Sequence, residues 1–552
     1  MTHWLVLPIV LPAMLAAMLV LAARYHLVIQ RVVSVAGTVA LLGLAVGLFW
    51  QASDGTISLY QLGNWPAPFG IVLVADRLST LMVLITCVLA PLVLLYAIGS
   101  GWDSRGRHFH PLFQFQLMGI LGAFLTGDAF NLFVFFEVLL IASYGLMIHS
   151  GGQKRLRAGT QYVLYNLLGS TLFLFALGTL YAETGTLNMA DLAVRISNLD
   201  AGNSAGIRVA AVLLLMVFAV KAAILPLHFW LPASYAEAPA PVAALFAIMT
   251  KVGAYCIIRM YTLVFPPDLE LTQGLFDVWL MPAALLTLML GMLGVLGAKR
   301  VDRMVAFSVI GSMGMLLASV AVFTQAGISA ALYYAIHSTF AAAALFLLVD
   351  VIRARRGAAS VSFADAPPMQ GGALVAGLFF VAAIAMTGLP PLSGFVGKLL
   401  ILDAARSSDL MWWVWGAILV GSLIAVVGFS RAGSVVFWKA HQARDQDIAP
   451  ETPEPEPSTA LAMVSIGGLL AVLIALTVAA GPVTRVLSAT SAQLFNPAPY
   501  IEVVLTTPGK KIKSDYDAAN QTKETGATGQ GAAESHDSQA GDEAHGSTVK
   551  DN

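Results

Sequence analysis

The segment from Lys221 to Met260, KAAILPLHFWLPASYAEAPAPVAALFAIMTKVGAYCIIRM, decides how the chain is read. Its second half is an apolar stretch (241–264) that carries a lysine, Lys251, in its middle. A membrane-crossing helix needs roughly 20 apolar residues, because the hydrocarbon core is about 30 Å thick and each residue rises about 1.5 Å. The stretch meets that length. Its first half begins with another lysine, Lys221, followed at once by Pro226 and Pro232, which break the preceding apolar run. The rest of the chain agrees: of 552 residues, 58% are apolar and 11% charged, against about 25% charged in a soluble globular protein. A soluble enzyme, a nucleic-acid binder and a disordered scaffold are excluded for the bulk of the chain. A formal charge of −1 gives no basic footprint for DNA or RNA. Cys87 and Cys256 are too few for a disulfide framework or a four-ligand metal site.

With the same ruler, fourteen spans are expected: 4–23, 32–50, 71–98, 112–127, 129–149, 161–182, 207–225, 241–264, 278–298, 303–323, 328–352, 373–402, 411–438 and 459–480. The first lacks the basic start and small-residue cleavage site of a signal peptide and reads as a retained helix. One set of alternate loops carries Arg24, Arg31, Arg105, Arg107, Lys154, Arg155, Arg157, Lys299, Arg300, Arg303, Arg353, Arg355, Arg356, Lys439 and Arg444. The other set holds little beyond Arg195, Arg208 and Arg406. The positive-inside rule therefore puts both termini outside the cytoplasm. Residues 445–457 read as a polar Pro-rich loop, and 509–552, almost without apolar side chains, as a disordered tail.

Charges inside the spans carry the chemistry, since a Lys or Asp at a helix centre costs about 2.5–3.5 kcal/mol on insertion scales. Glu137 lies in DAFNLFVFFEVLLIASYGL, and Lys398 in TGLPPLSGFVGKLLILD. At 1.5 Å per residue, Lys221 is about 21 Å and Lys251 about 15 Å from the start of its span, too deep for easy snorkelling. Arg259 and Asp350 read as interface anchors or turn partners near helix ends. The adjacent Asp76 and Arg77 read as a local pair or a functional site. Pro226 and Pro232 break span 7 after Lys221; Pro390 and Pro391 break span 12 before Lys398. Broken helices in corresponding positions of two halves point to a transport site. Each break falls in the fourth span of a five-span unit, and five is odd, so the two units sit inverted. The expected fold is an all-α polytopic membrane protein of about fourteen helices with inverted repeats in spans 4–8 and 9–13. By residue this gives 1–111 for spans 1–3, 112–264 and 278–438 for the repeats, 439–508 for the polar loop and last span, then the tail.

At these residues the sequence resembles the antiporter-like subunits shared by respiratory NADH–quinone oxidoreductase (complex I), membrane-bound hydrogenases and Mrp-type cation/proton antiporters. GNWPAPFGIVLVADRLS, from Gly63 to Ser79, further resembles the D-type subunits of Mrp antiporters. The resemblance implies a proton relay in which Glu137 pairs with Lys221, Lys251 bridges, and His337 leads to Lys398, with His228 a weaker relay position. Where many relatives carry another lysine a turn after the histidine, this chain has Ala341 and Ala342, so the relay there leans on His337 and water. The implied function is the proton-translocating subunit of a multi-subunit Na⁺ or K⁺/proton antiporter in a bacterial inner membrane, a transporter and not an enzyme, with other membrane subunits as partners. The rival is a proton-pumping subunit of a complex I-like oxidoreductase or hydrogenase. No cofactor motif is evident. For the cation, Asp76 and Glu137 are the deep candidates, without a complete oxygen cage around either.

Overall fold

The computed structural model describes residues 3–200, 205–364, 366–439 and 460–509; the loop expected at 445–457, with Arg444, and the tail from 510 lie outside the described residues. Helices α1 (Leu7–Leu21) and α2 (Leu27–Ala52) lead to a two-stranded hairpin, β1 (Ser58–Gln61) and β2 (Val72–Ala75), antiparallel with Ser58 opposite Ala75. Then come α3 (Arg77–Gly99), α4 (Phe109–Leu125), α5 (Ala129–Met147), α6 (Gln153–Thr184), α7 (Met189–Ser197), α8 (Ala205–Ala222), α9 (Trp230–Glu237) and α10 (Ala240–Leu263). They are followed by α11 (Leu275–Gly297), α12 (Val301–Ala321), α13 (Gln325–Arg355), α14 (Gly372–Thr387), α15 (Ser393–Ala404) and α16 (Met411–Gly433). The last described are α17 (Ala460–Val478), α18 (Ala480–Leu494) and α19 (Ala498–Thr506). All belong to one compact unit, Met1–Thr507.

Among the described residues, eleven helices are long and apolar enough to cross a membrane, with three shorter apolar ones, α1, α4 and α14. The chain is a multi-pass helical membrane protein. The third span is shorter than expected. Of residues 71–75, read as its start, 72–75 form β2, and the helix begins only after Asp76. Asp76 makes a capping box: its carboxylate accepts from Ser79 N–H at 2.8 Å and its own N–H donates to Ser79 Oγ at 2.9 Å. Such a cap is worth about 1 kcal/mol. Asp128 caps α5 in the same manner, accepting from Asn131 N–H.

The two spans expected to be broken, the seventh and the twelfth, are discontinuous, whereas Pro12, Pro91 and Pro282 lie inside continuous helices. The seventh stops at Ala222 and resumes as α9 at Trp230; the twelfth stops at Thr387 and resumes as α15 at Ser393. Each break frees backbone groups that a helix would have paired. Trp230 Nε1–H donates to Val220 O at 2.9 Å, and Leu225 N–H donates to Thr287 Oγ1 at 2.9 Å. The centre of the bundle is α10, buried all round, with α12 and α13 nearly so, and α10 packs directly on α13. Gly253 allows α10 its close approach to α8: a Cβ there would stand 2.7 Å from Ala222 N and 3.0 Å from Lys221 Cβ.

Candidate functional site

Lys221, Lys251, His337 and Lys398 are carried by the helices that meet in this core, at 6%, 1%, 0% and 5% exposure. The order runs α8, α10, α13, α15. α10 touches α8 and α13, and α13 touches α15. Both Lys251 and Lys398 lie within electrostatic range of His337. The structure thus brings these four sequence candidates onto successive contacting helices of one buried core.

Their partners differ from expectation at the first member. Glu137, on α5, is within electrostatic range of Lys221, but among the described residues no ion pair joins them. Lys221 Nζ instead donates to Asn166 Oδ1 of α6 at 2.8 Å and faces the Phe136 ring at 5.5 Å. Glu137 Oε1 is buried without a hydrogen-bond partner. Asn166 is uncharged, so the pattern of buried charges does not reveal it; an amide in the middle of an apolar span was the signal available. Among the described residues Lys251 Nζ has no hydrogen-bond partner, whereas His337 lies against the Ala385 carbonyl. His337 Nδ1 shares a hydrogen bond with Ser393 Oγ at 2.9 Å, at the first residue after the second break. Tyr334, one turn before the histidine and 5.5 Å from it ring to ring, carries a further buried, unpartnered hydroxyl.

Lys398 Nζ donates to Thr387 O at 2.5 Å and to Ser422 Oγ of α16 at 2.7 Å. Thr387 is the last residue of α14, so the ammonium takes up a carbonyl that the break set free. Gly388 makes room for it: its φ is +74°, and a Cβ there would stand 2.5 Å from Lys398 Cδ. His228 lies in the first break, 4% exposed, its ring against Phe229 and its Nδ1 unpartnered. It belongs to the break, with no described hydrogen bond to the lysines.

Asp76 and Arg259 are corrected together. Arg259 is no helix-end anchor, and Asp76 does not pair with its neighbour Arg77. Arg259, two turns after Lys251 on the same face of α10, grips Asp76 with two bonds of 2.6 and 2.8 Å while lying over Tyr255 and Tyr500. With Ser79 N–H as well, the Asp76 oxygens are occupied, so this carboxylate is not a free cation ligand. Among the described residues no group of three His, Cys, Asp or Glu side chains could hold a metal ion. At the opposite end of α10, Asp350 accepts from Trp102 Nε1–H and Tyr96 Oη–H, as a turn partner should. The arginine-rich loops join there: Arg300 bonds Glu237 and Asp302, Arg353 bonds Asp302, Arg155 donates to Glu237 O, and Arg31 bonds Asp103.

A sequence-family model described as "NADH:quinone oxidoreductase/Mrp antiporter, TM" matches residues 126–425. This chain belongs to that family. A protein of Rhizobium meliloti (strain 1021), named as the probable D subunit of a K(+)/H(+) antiporter, is 36% identical to it, covering 92% of this chain and 98% of that protein. The D subunit of an Na(+)/H(+) antiporter of Bacillus subtilis (strain 168) is 38% identical, covering 92% and 100%. Among solved structures, a chain of the Mrp complex from Dietzia sp. DQ12-45-1b is similar, with a TM-score of 0.79 and 28% identity over 92% of this chain and 100% of that one. A chain of the membrane-bound sulfane sulfur reductase, an archaeal respiratory membrane complex, has the same TM-score at 25% identity, covering 90% and 99%. The antiporter-like fold of this NADH:quinone oxidoreductase/Mrp antiporter family therefore extends over nearly the whole chain, beyond the matched 126–425.

Proposed function

We propose that this chain is the proton-translocating D-type subunit of a multi-subunit monovalent cation (Na⁺ or K⁺)/proton antiporter, a transporter and not an enzyme. The observation that carries the reading is the near-full-length identity to the D subunits of K⁺/H⁺ and Na⁺/H⁺ antiporters. The line of desolvated amines agrees with it. The assembly resides in a bacterial inner membrane beside other membrane subunits, with the arginine-rich end cytoplasmic and both termini outside. Residues 112–264 and 278–438 act as the two inverted proton-handling units, with 1–111 and 439–508 flanking them.

In this reading Glu137, Lys221, Lys251, His337 and Lys398 form the relay, with His228 as an accessory at the first break. Burial disfavours a charged amine and a nearby carboxylate favours it. Approach of Glu137 to Lys221 stabilises the ammonium; withdrawal of Glu137, or a cation in its place, leaves a buried charge that relaxes by passing its proton to Lys251. His337 takes it on toward Lys398. Buried polar groups ordinarily have a partner, and water supplies it where protein does not. Glu137 Oε1 and Lys251 Nζ, without partners among the described residues, fit a hydrated thread. One proton crossing 100 mV yields about 2.3 kcal/mol, similar to the insertion cost of one buried lysine.

The test is Glu137→Gln and Lys221→Ala in everted membrane vesicles, with exchange read by a pH dye. Exchange is expected to collapse while the complex still assembles. Near-normal exchange with intact complex refutes the relay. The redox-driven alternative, favoured by the sulfane sulfur reductase likeness, predicts iron–sulfur or quinone-binding subunits in the purified complex; the antiporter predicts their absence.

A further inference from the structure

Two adjoining cavities lie where the hairpin end of the bundle meets α18. The first, about 250 Å³, is lined by Arg77 and Arg485 together with Phe49, Ser53, Thr80 and Val486. The second, about 390 Å³, is lined almost wholly by apolar side chains. Phe49 and Val486 line both, so the two spaces adjoin at these side chains. Along α3 the apolar part runs past Leu81, Leu84 and Val88, which is about 16 Å from Arg77 at 1.5 Å per residue. Half of a hydrocarbon core is about 15 Å. The groove therefore spans one leaflet, and its floor reaches Ile336, beside His337.

The two arginines are underused. Among the described residues Arg77 donates one guanidinium hydrogen bond, to Ser53 O at 2.8 Å, and its buried Nε has no partner. Its neighbour Asp76 is committed to Arg259. Asp54, at the exposed rim, is the acid within electrostatic range of Arg77. Arg485 is exposed and has no ion-pair partner among the described residues. A cationic mouth with spare N–H donors above an apolar trench one leaflet deep is complementary to a phosphodiester carrying acyl chains.

We infer that this is a binding site for an anionic phospholipid, with the headgroup phosphate on Arg77 and Arg485 and an acyl chain along α3. The occupant belongs to the leaflet at the hairpin end of the bundle. The site is independent of the proton relay and stands whether or not the antiporter reading does. It is tested by titrating the purified full chain with phosphatidylglycerol, phosphatidylcholine and inorganic phosphate, with bound molecules counted by native mass spectrometry. Phosphatidylglycerol is expected to bind in preference to phosphatidylcholine. Arg77→Gln and Arg485→Gln are each expected to weaken it about fivefold, and the Lys substitutions to retain much of it. Leu84→Trp, which leaves both charges in place but fills the trench, is expected to lose it as well. Equal binding of the two lipids, or unchanged binding in the double Gln variant, overturns the inference. So does competition by inorganic phosphate at the same arginines without lipid retention, which makes the site one for a free anion. Cross-linking of a partner protein of the assembled complex into the trench from Val88 overturns it too.

Discussion

Asn166 offers the sharpest test of the site, because it holds Lys221 with a neutral oxygen where a charged one was expected. In Asn166→Asp a carboxylate oxygen occupies nearly the same volume, 2.8 Å from the ammonium. At an effective dielectric constant of about 20, two unit charges at that distance attract by about 6 kcal/mol. The hydrogen bond it replaces, one between a charged and a neutral group, is worth about 1.5–3 kcal/mol. The surplus, at least about 3 kcal/mol, must be overcome each time Lys221 gives up its proton, which slows that step at least about a hundredfold. Asn166→Gln is the control, since it keeps a neutral amide. In everted vesicles read by a pH dye, Asn166→Asp is expected to cut exchange about a hundredfold at unchanged complex abundance, and Asn166→Gln to spare much of it. Exchange in Asn166→Asp within a fewfold of the parent, with the complex intact, refutes the claim that Lys221 must release its proton.

The buried Asp76–Arg259 pair is expected to behave as a structural unit. Asp76→Asn or Arg259→Gln alone should cost about 3–5 kcal/mol by leaving one charge uncompensated, while the double variant costs less than the sum; additive losses in thermal unfolding of the purified chain reject the pairing. Gly388→Ala forces a side chain into left-handed backbone at about 1–2 kcal/mol and pushes a Cβ against Lys398; vesicle exchange should fall sharply, and parental exchange rejects the role given to Thr387 O. Outside the membrane, burial alone would raise the Asp103 carboxyl, but hydrogen bonds from His110 and Arg31 and the Arg31 charge outweigh it and hold it below the usual carboxylate range. A lowered folded value means stability that is present above about pH 4 and lost as pH falls through the folded value. Asp103→Asn should therefore abolish this acid-side loss, as measured by unfolding of the purified chain between pH 3 and 7.

The spans were legible because length and apolarity are one-dimensional properties, and the two breaks were legible because paired prolines stand beside a buried lysine; single prolines at Pro12, Pro91 and Pro282 leave their helices continuous. The apolar run Ile71–Ala75 was ambiguous between strand and helix, and pairing with β1, 58–61, decided it. The short helices α7 and α18 are mixed in polarity, so apolar length did not mark them. In the site, the identities of the buried cations could be read, but not their partners. Asp76 and Arg259 are 183 residues apart, and the adjacent Arg77 was the misleading candidate. Asn166 and Ser422 are neutral, and Thr387 contributes a backbone oxygen that only the break exposes.

What each buried cation is paired with separates the two kinds of charge in this protein. Arg259 has a full counter-ion, two bonds to it and two aromatic faces, which is the arrangement a fold needs in order to keep a guanidinium out of water. The three lysines have no counter-ion bonded to them among the described residues: Lys221 has an amide and one aromatic face, Lys398 a carbonyl and a hydroxyl, and Lys251 no hydrogen-bond partner. Stability does not explain such sites, since a leucine at any of them would avoid the desolvation cost outright. A counter-ion would offset part of that cost, but it would also hold the proton where it is, as Asn166→Asp is expected to show. Neutral partners, or none, leave each amine only weakly held, and a relay passes a charge along only if no member keeps it. The incomplete pairing of the lysines and the complete pairing of Arg259, two turns further along the same face of α10, are opposite solutions to one electrostatic problem, chosen according to whether the charge must stay or move.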